Sequence, residues 1–180
     1  MKKYLIILVL FISMSVYGQF NSGSVYFTGT TGTDLKFELQ EGSAYIPYNL
    51  NVEGGYFLRN RLSIGGTVHS HGTFGLGEFT SSSHELFLGF LTRYYLPRDE
   101  GLQIYLFGNP FFSVASFDNR FGVSAGAGFN YFLTERIALE ARAYYKYLRF
   151  FNEFSGYNNH SVNFAIGITV FFPSISFFSN

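Results

Sequence analysis

The chain of 180 residues has no cysteine, few charged residues and no long hydrophobic run. The lack of cysteine excludes disulfide bonds, thiolate metal sites and a cysteine nucleophile. Charged residues make up only 13% of the chain, about half the share found in an average soluble protein. The 12 basic and 12 acidic residues give a formal net charge of zero, so no basic surface indicates nucleic acid as a partner.

Lysine is scarce, and aromatic residues are abundant. The four lysines are Lys2, Lys3, Lys36 and Lys146, whereas the chain holds 24 Phe and 14 Tyr. A water-soluble barrel of this size would need many more charges on its outer face. The mean hydropathy of +0.13 is nevertheless too low for a bundle of membrane helices. This composition favours strands that alternate polar and apolar residues and turn the apolar ones toward lipid.

The first residues have the features of a signal peptide. Two lysines precede an apolar stretch at residues 4–12, and Gly18 stands where a signal peptidase would cut. We therefore expect residues 1–18 to be a cleaved signal peptide and residues 19–180 to be the mature domain. The apolar stretch is far shorter than the ~20 residues of a transmembrane helix. Any membrane span of the exported protein is therefore expected to consist of strands.

After Gly18 the sequence has the two-residue period of β-strands. Between Phe121 and Leu133 the odd positions are apolar, whereas the even positions are mostly Gly, Ser and Asn. Each such run has about the 9–11 residues that a tilted strand needs to cross a bilayer. A first strand is expected to begin near Ser22. The other runs are Ile46–Phe57, Leu62–His71, Glu85–Leu96, Ile104–Val114, Ile137–Tyr147 and Val162–Phe172.

The links between these runs alternate in length, as in barrels that place short turns in the periplasm and long loops outside. The short turns are expected at Leu58–Arg61, Pro97–Gly101 and Thr134–Arg136. The longer links are expected at Gly72–Ser83, Ala115–Arg120 and Phe151–His160. The sequence thus predicts an all-β fold, an eight-stranded antiparallel up-and-down transmembrane β-barrel. It does not assign residues 29–44 or the tail at 173–180.

The polar positions suit the narrow interior of an eight-stranded barrel, which is just wide enough for side chains. The apolar positions, such as Leu88, Leu139 and Ile166, should then face lipid. Tyrosines are expected at the two membrane interfaces; the candidates are Tyr48, Tyr56, Tyr94, Tyr131 and Tyr145.

Six charged residues have the parity of the interior and form the candidate functional site. They are Glu53, Glu85, Arg93, Glu140, Arg142 and Lys146. Three negative and three positive charges in a narrow space are expected to pair, because an unpaired buried charge is strongly destabilising. Two interpretations remain open, a salt-bridged plug that closes the lumen and a selectivity filter.

Several short motifs resemble a known family. They are Gly55-Tyr56-Phe57 followed by a turn and Leu62-Ser63-Ile64-Gly65, then Arg93-Tyr94-Tyr95-Leu96, Gly128-Phe129-Asn130-Tyr131-Phe132-Leu133 and Arg136-Ile137-Ala138-Leu139-Glu140. Their order and spacing resemble the outer membrane protein beta-barrel domain family. The resemblance covers about residues 20–172 and implies an eight-stranded barrel akin to OmpA- and OmpX-type proteins, in a family mostly without assigned activity.

The chain departs from that family at two places. Family members often carry an acidic residue in the fifth strand, where this chain has Asn109. The resemblance also implies a terminal aromatic residue that the barrel-assembly machinery recognises. Both Phe172 and Phe178 could serve, since Pro173 cannot donate a ladder hydrogen bond and separates the last strand from the tail.

Metal binding and catalysis have few candidate residues. His69, His71 and Glu85 could together hold zinc if hairpin pairing placed Glu85 opposite His69. Serines, histidines and aspartate occur without the spacing of a nucleophile motif. We therefore expect no metal, no cofactor and no catalytic residue.

Three functional hypotheses follow. The first is an integral protein of a Gram-negative outer membrane with a closed, salt-bridged lumen and a structural or surface-interaction role. The second is a porin-like narrow channel for small solutes or ions, and the third is a membrane-embedded enzyme. The expected partners are outer-membrane lipid and, during biogenesis, the assembly machinery. Extracellular partners are not identified by the sequence.

Overall fold

The computed structural model describes residues 21–32, 39–40, 43–76, 83–97, 101–115, 119–151 and 158–173. In these ranges the chain forms nine strands. They are β1 (Val25–Gly32), β2 (Leu39–Gln40), β3 (Ser43–Arg59), β4 (Leu62–Leu76), β5 (Ser83–Tyr95), β6 (Leu102–Ala115), β7 (Asn119–Phe132), β8 (Ile137–Phe151) and β9 (Asn158–Phe172). None of the described residues belongs to a helix long and apolar enough to cross a membrane.

The eight long strands close into a barrel. Each strand from β3 to β9 pairs in antiparallel fashion with its neighbour along the chain. β1 pairs on one side with β3 and on the other with β9, so that Val25 lies opposite both Tyr56 and Phe172. The two-residue β2 pairs only with the start of β3. The predicted eight-stranded antiparallel up-and-down barrel is therefore confirmed.

The predicted strands are present, but several extend further than expected. β4 continues to Leu76, so the first part of the predicted link Gly72–Ser83 belongs to a strand. β7 begins at Asn119, which places Arg120 in a strand instead of a loop. Polar composition suggested loops at both places. Antiparallel ladders extend past the apolar band of a membrane barrel, and there both faces can be polar.

The assignment of the two faces is also confirmed. Leu139 is 45% exposed and Ile166 is 60% exposed on the outside of the barrel. Tyr56, Tyr94 and Tyr131 are exposed near the short turns, and Tyr145 is exposed near the opposite end. Aromatic rings at two levels of an otherwise apolar outer surface are typical of the two interfaces of a membrane barrel.

Short turns join the strands at one end of the barrel, where β1 begins and β9 ends. Several parts of the chain named in the sequence analysis lie outside the described residues. They are the expected signal peptide, residues 33–38 and 41–42 of the unassigned segment, residues 77–82, 98–100, 116–118 and 152–157 of the expected links, and residues 174–180 of the tail. The cleavage site and the mature boundaries stay predictions.

Candidate functional site

Two arginines and two glutamates meet in the middle of the lumen, and we call Glu53, Arg93, Glu140 and Arg142 the central charge cluster. Arg93 from β5 donates from Nη1 to Oε2 of Glu140 on β8 at 2.9 Å, and from Nη2 to Glu53 on β3. Arg142 on β8 donates to the other oxygen of Glu53. All four side chains are buried. The cluster therefore connects strands that are not neighbours in the barrel wall.

Hydroxyl and amide groups of the surrounding wall add hydrogen bonds to this cluster. Thr169 donates to Oε2 of Glu140 at 2.7 Å. Arg142 Nη2 donates to the hydroxyl of Thr30 at 2.9 Å, and the amide of Asn51 donates to Glu53. These donors and acceptors come from β1, β3 and β9. Buried ion pairs are tolerated when such extra hydrogen bonds satisfy their remaining polar atoms.

Two tyrosine rings cover the guanidinium of Arg93. Its Cζ lies 4.8 Å from the ring centroid of Tyr26 and 4.6 Å from that of Tyr105. Arginine stacks well on aromatic faces because its charge is delocalised and weakly hydrated. With two carboxylates at its tip and rings on its flanks, Arg93 has no exposed surface.

On the side of the short turns, aromatic rings fill the lumen. The aromatic plug consists of Tyr26, Phe57, Tyr95, Tyr105, Phe132 and Phe171. Neighbouring rings lie 5.3–6.0 Å apart, in the range of favourable aromatic pairs. The ring of Tyr26 lies where a side chain at Gly55 would lie, and that of Tyr105 likewise covers Gly128. Glycines on the inner face therefore make room for the plug.

A second apolar group, which we call the outer cluster, lies beyond the charges. It consists of Phe87, Phe111, Leu148 and Phe150. Lys146 Nζ lies 5.5 Å from the ring centroid of Phe87 and 5.4 Å from that of Phe111. Beside this cluster Glu85 forms an ion pair with Arg120, whose Cζ lies 4.5 Å above the ring of Phe150.

The six residues that the sequence selected for the lumen separate into two levels. Glu53, Arg93, Glu140 and Arg142 come together, whereas Glu85 and Lys146 lie nearer the outer end. Sequence reasoning missed Arg120 because it was assigned to a loop. Its parity, shared with the inward-facing Gly122 and Ser124, was the signal that would have found it.

The zinc site considered above required Glu85 to lie opposite His69. In the structure the pairing of β4 with β5 differs from this by two residues. Glu85 lies opposite His71, and Phe87 lies opposite His69. His71 Nδ1 is 3.3 Å from Glu85 Oε2, while the rings of the two histidines are 6.1 Å apart. Within the described ranges no three His, Cys, Asp or Glu side chains come close enough to hold a metal ion.

Asn109 occupies the lumen position where the resemblance implies an acid, and Pro110 follows it. Pro110 has no N–H to donate, and the β5–β6 pairing is interrupted between Gly89–Phe111 and Thr92–Gly108. The side-chain nitrogen of Asn109 donates hydrogen bonds to the carbonyl oxygens of Phe90 and Pro110, at 3.1 and 3.0 Å, in the amide orientation that satisfies both its nitrogen and its oxygen. The amide thereby supplies the donor that Pro110 lacks, which a carboxylate could not do.

Comparison with known proteins agrees with this architecture. The profile of the family described as "Outer membrane protein beta-barrel domain" matches residues 5–169. The chain belongs to this family. The protein is therefore a β-barrel of the outer membrane, in contact with membrane lipid. No curated protein matches the sequence.

The solved structure of one other barrel is similar in fold, and two further barrels align with lower scores. The crystal structure of the outer membrane protein OprG from Pseudomonas aeruginosa has a TM-score of 0.51 and 14% identity, over 87% of this chain and 98% of that one. The outer membrane protein AlkL, solved by solid-state NMR in lipid bilayers, has a TM-score of 0.47 and 12% identity, over 89% and 95%. The N-terminal barrel of Pseudomonas aeruginosa OprF has a TM-score of 0.45 and 16% identity, over 84% and 98%.

Proposed function

We propose that this barrel is closed to ions and solutes and serves a structural or surface-interaction role in the outer membrane. The observation that carries the proposal is the position of Arg93, which has no exposed surface and is held by two carboxylates and two tyrosine rings. In this proposal the central charge cluster blocks the lumen at its middle, and the aromatic plug blocks the next level toward the short turns.

The cluster also suits a scaffold. It joins β3, β5 and β8 through ion pairs, and hydroxyls of β1 and β9 bind its charged groups. Removing one member leaves an uncompensated buried charge, which is strongly destabilising. Conduction through this level would require several of these contacts to break together. The geometry therefore favours a rigid interior, and interaction with other molecules would then occur at the outer end of the barrel.

One observation favours the alternative of a narrow channel. A small polar chamber lies on the outer side of the central charge cluster, between Phe107 and Phe111. A solute that entered it would still meet Arg142 and Glu53, which line its wall and are paired with each other. For this reason we place the channel second.

Ion conductance tests the proposal directly. The mature protein, residues 19–180, would be refolded into a planar lipid bilayer, with β-type circular dichroism as the control for folding. We expect no discrete current steps. Reproducible steps whose size or ion selectivity changes in an Arg142→Gln variant would reject the closed barrel and establish the channel.

The proposal includes the barrel-assembly machinery as a partner while the protein is being inserted into the membrane. β9 ends at Phe172, which is 45% exposed, and Pro173 follows it. This arrangement agrees with recognition of a terminal aromatic residue by the barrel-assembly machinery. Phe178 lies outside the described residues, so the choice between the two aromatic ends stays open.

A further inference from the structure

The chamber between Phe107 and Phe111 is rich in hydrogen-bond donors. Lys146, Arg142, Ser124 and Asn51 line it together with His69. An ammonium group, a guanidinium group, a hydroxyl and an amide can each donate hydrogen bonds. A wall of this composition suits a ligand that accepts hydrogen bonds and carries negative charge.

The carboxylate of Glu53, which also lines the chamber, is already bound on both oxygens. Oε1 accepts hydrogen bonds from Arg142 and Asn51, and Oε2 accepts one from Arg93. Glu53 therefore has little capacity left to bind a cation. Among the described residues the lumen as a whole holds three acidic and four basic side chains. They are Glu53, Glu85 and Glu140, and Arg93, Arg120, Arg142 and Lys146.

Two buried nitrogen atoms of residues that line the chamber independently indicate that it binds a hydrogen-bond acceptor. Nε2 of His69 and Nε of Arg142 are both buried, and neither has a hydrogen-bond partner within the described part of the chain. Buried polar atoms are nearly always satisfied by protein, water or a ligand. A single acceptor in this chamber could satisfy such donors, provided that His69 carries its proton on Nε2.

We propose that the chamber binds one small anion, the size of a halide or formate, held by Lys146 and Arg142. The size follows from the fold, because eight strands enclose little more than their own side chains. The inference does not rest on the closed lumen, since a conducting barrel and a silent barrel could each hold such an ion. Failure of one proposal therefore leaves the other standing.

Bromide is a suitable probe because it is small and scatters anomalously. The unfolding temperature of the full chain in detergent micelles would be measured while bromide replaces gluconate at constant ionic strength. A ligand that binds only the folded state raises its stability in a saturable way. We expect saturation for the parent protein. An increase that never saturates, or no increase, would overturn the proposal.

Three variants separate the site from general charge effects. We expect Lys146→Met to raise the half-saturating bromide concentration at least tenfold and Lys146→Arg to keep it within threefold. Arg149→Met is the matched control, because Arg149 lies on the same strand and is exposed on the outer face. Equal bromide responses in Lys146→Met and Arg149→Met would reject the site.

A crystallographic measurement does not depend on the folding of any variant. Crystals of the parent protein would be soaked in bromide, and anomalous differences would be measured. A peak in the chamber within contact distance of Lys146 and Arg142 supports the proposal. Bromide on the protein surface alone, with none in the chamber, overturns it.

Discussion

At the scale of single residues, Arg93 is a fully buried charge whose guanidinium is in contact on every described side. Its guanidinium is buried between Glu53, Glu140, Tyr26 and Tyr105. Without it, Arg142 would be the cation left facing two carboxylates, one of them at 3.7 Å. Breaking a buried pair by removing one partner costs much more than an exposed pair is worth, because the remaining charge is left uncompensated.

We predict that Arg93→Met lowers the free energy of unfolding by about 3–5 kcal/mol. The measurement is urea unfolding in lipid vesicles, followed by circular dichroism. Arg136→Met, at an exposed turn, is the control and should change stability by about 0.5 kcal/mol or less. In a double-mutant cycle with Glu140→Gln, we expect a coupling energy of about 0.5–3 kcal/mol. Strictly additive effects would show that the two residues act independently.

A second prediction at the scale of single residues concerns the side-chain amide of Asn109. Asn109→Asp replaces the amide donor with an acceptor, so the carbonyl oxygens of Phe90 and Pro110 lose their partner. We expect a loss of about 1–3 kcal/mol in the same urea assay. Pro110→Ala restores a backbone N–H, and in that background the cost of Asn109→Asp should fall. An unchanged cost would mean that the amide does not substitute for the missing N–H.

The parity of the sequence predicted which residues enter the lumen but not which of them meet. Glu53 and Arg93 are 40 residues apart in sequence, and their contact depends on the tilt of the strands and the register of the closed barrel. Neither quantity is encoded in a two-residue period. The role of Asn109 was hidden for a related reason, since it depends on a carbonyl group of the neighbouring strand.

At the scale of strands, β3 and β4 approach each other closely at a pair of glycines. Gly65 on β4 lies opposite Gly55 on β3. A Cβ atom at Gly65 would collide with the backbone of Gly54, whereas one at the adjacent Gly66 would find its nearest neighbour 3.8 Å away. The obstacle at Gly65 is main chain, which cannot move aside as a flexible side chain can.

We predict that Gly65→Ala destabilises the barrel by about 1–3 kcal/mol. Gly66→Ala should be neutral or should stabilise by up to about 1 kcal/mol, because alanine loses less conformational entropy in a strand. Folding yield and urea midpoints of the two variants give the comparison. Equal stability of the two variants would contradict the close approach of β3 and β4.

The sequence predicted the strands well where one face is apolar and the other polar. It failed at their outer ends. Thr73 and Arg120 belong to strands, although the flanking composition resembles that of loops. Beyond the hydrocarbon layer water can satisfy either face, so the period disappears while the hydrogen-bonded ladder continues.

At the scale of the whole molecule, the apolar outer face fixes the position of the barrel in the membrane. Ile166 lies near the middle of β9, whereas Leu133 lies beside the short turn between β7 and β8. Both are exposed on the outside, at 60% and 44%. The energetic cost of a charge on this face depends on depth, since hydrocarbon excludes charge and the interface does not.

We predict that Ile166→Arg costs about 2–4 kcal/mol and Leu133→Arg about 0–1 kcal/mol. Urea titration in vesicles of a single lipid composition measures both variants against the parent. If Ile166→Arg were as stable as Leu133→Arg, the membrane would have to lie elsewhere on the barrel.

The pairing of β1 with both β3 and β9 has a consequence for how the protein enters the membrane. β1 has eight residues, whereas the other long strands have 13 to 17. Until Val25 meets Phe172, two strand edges remain without hydrogen bonds, a state that hydrocarbon does not tolerate. Insertion must therefore wait for the last strand of the chain. The hydrogen bonds between the first and last strands are then the last to form during insertion and the first to break when the barrel opens.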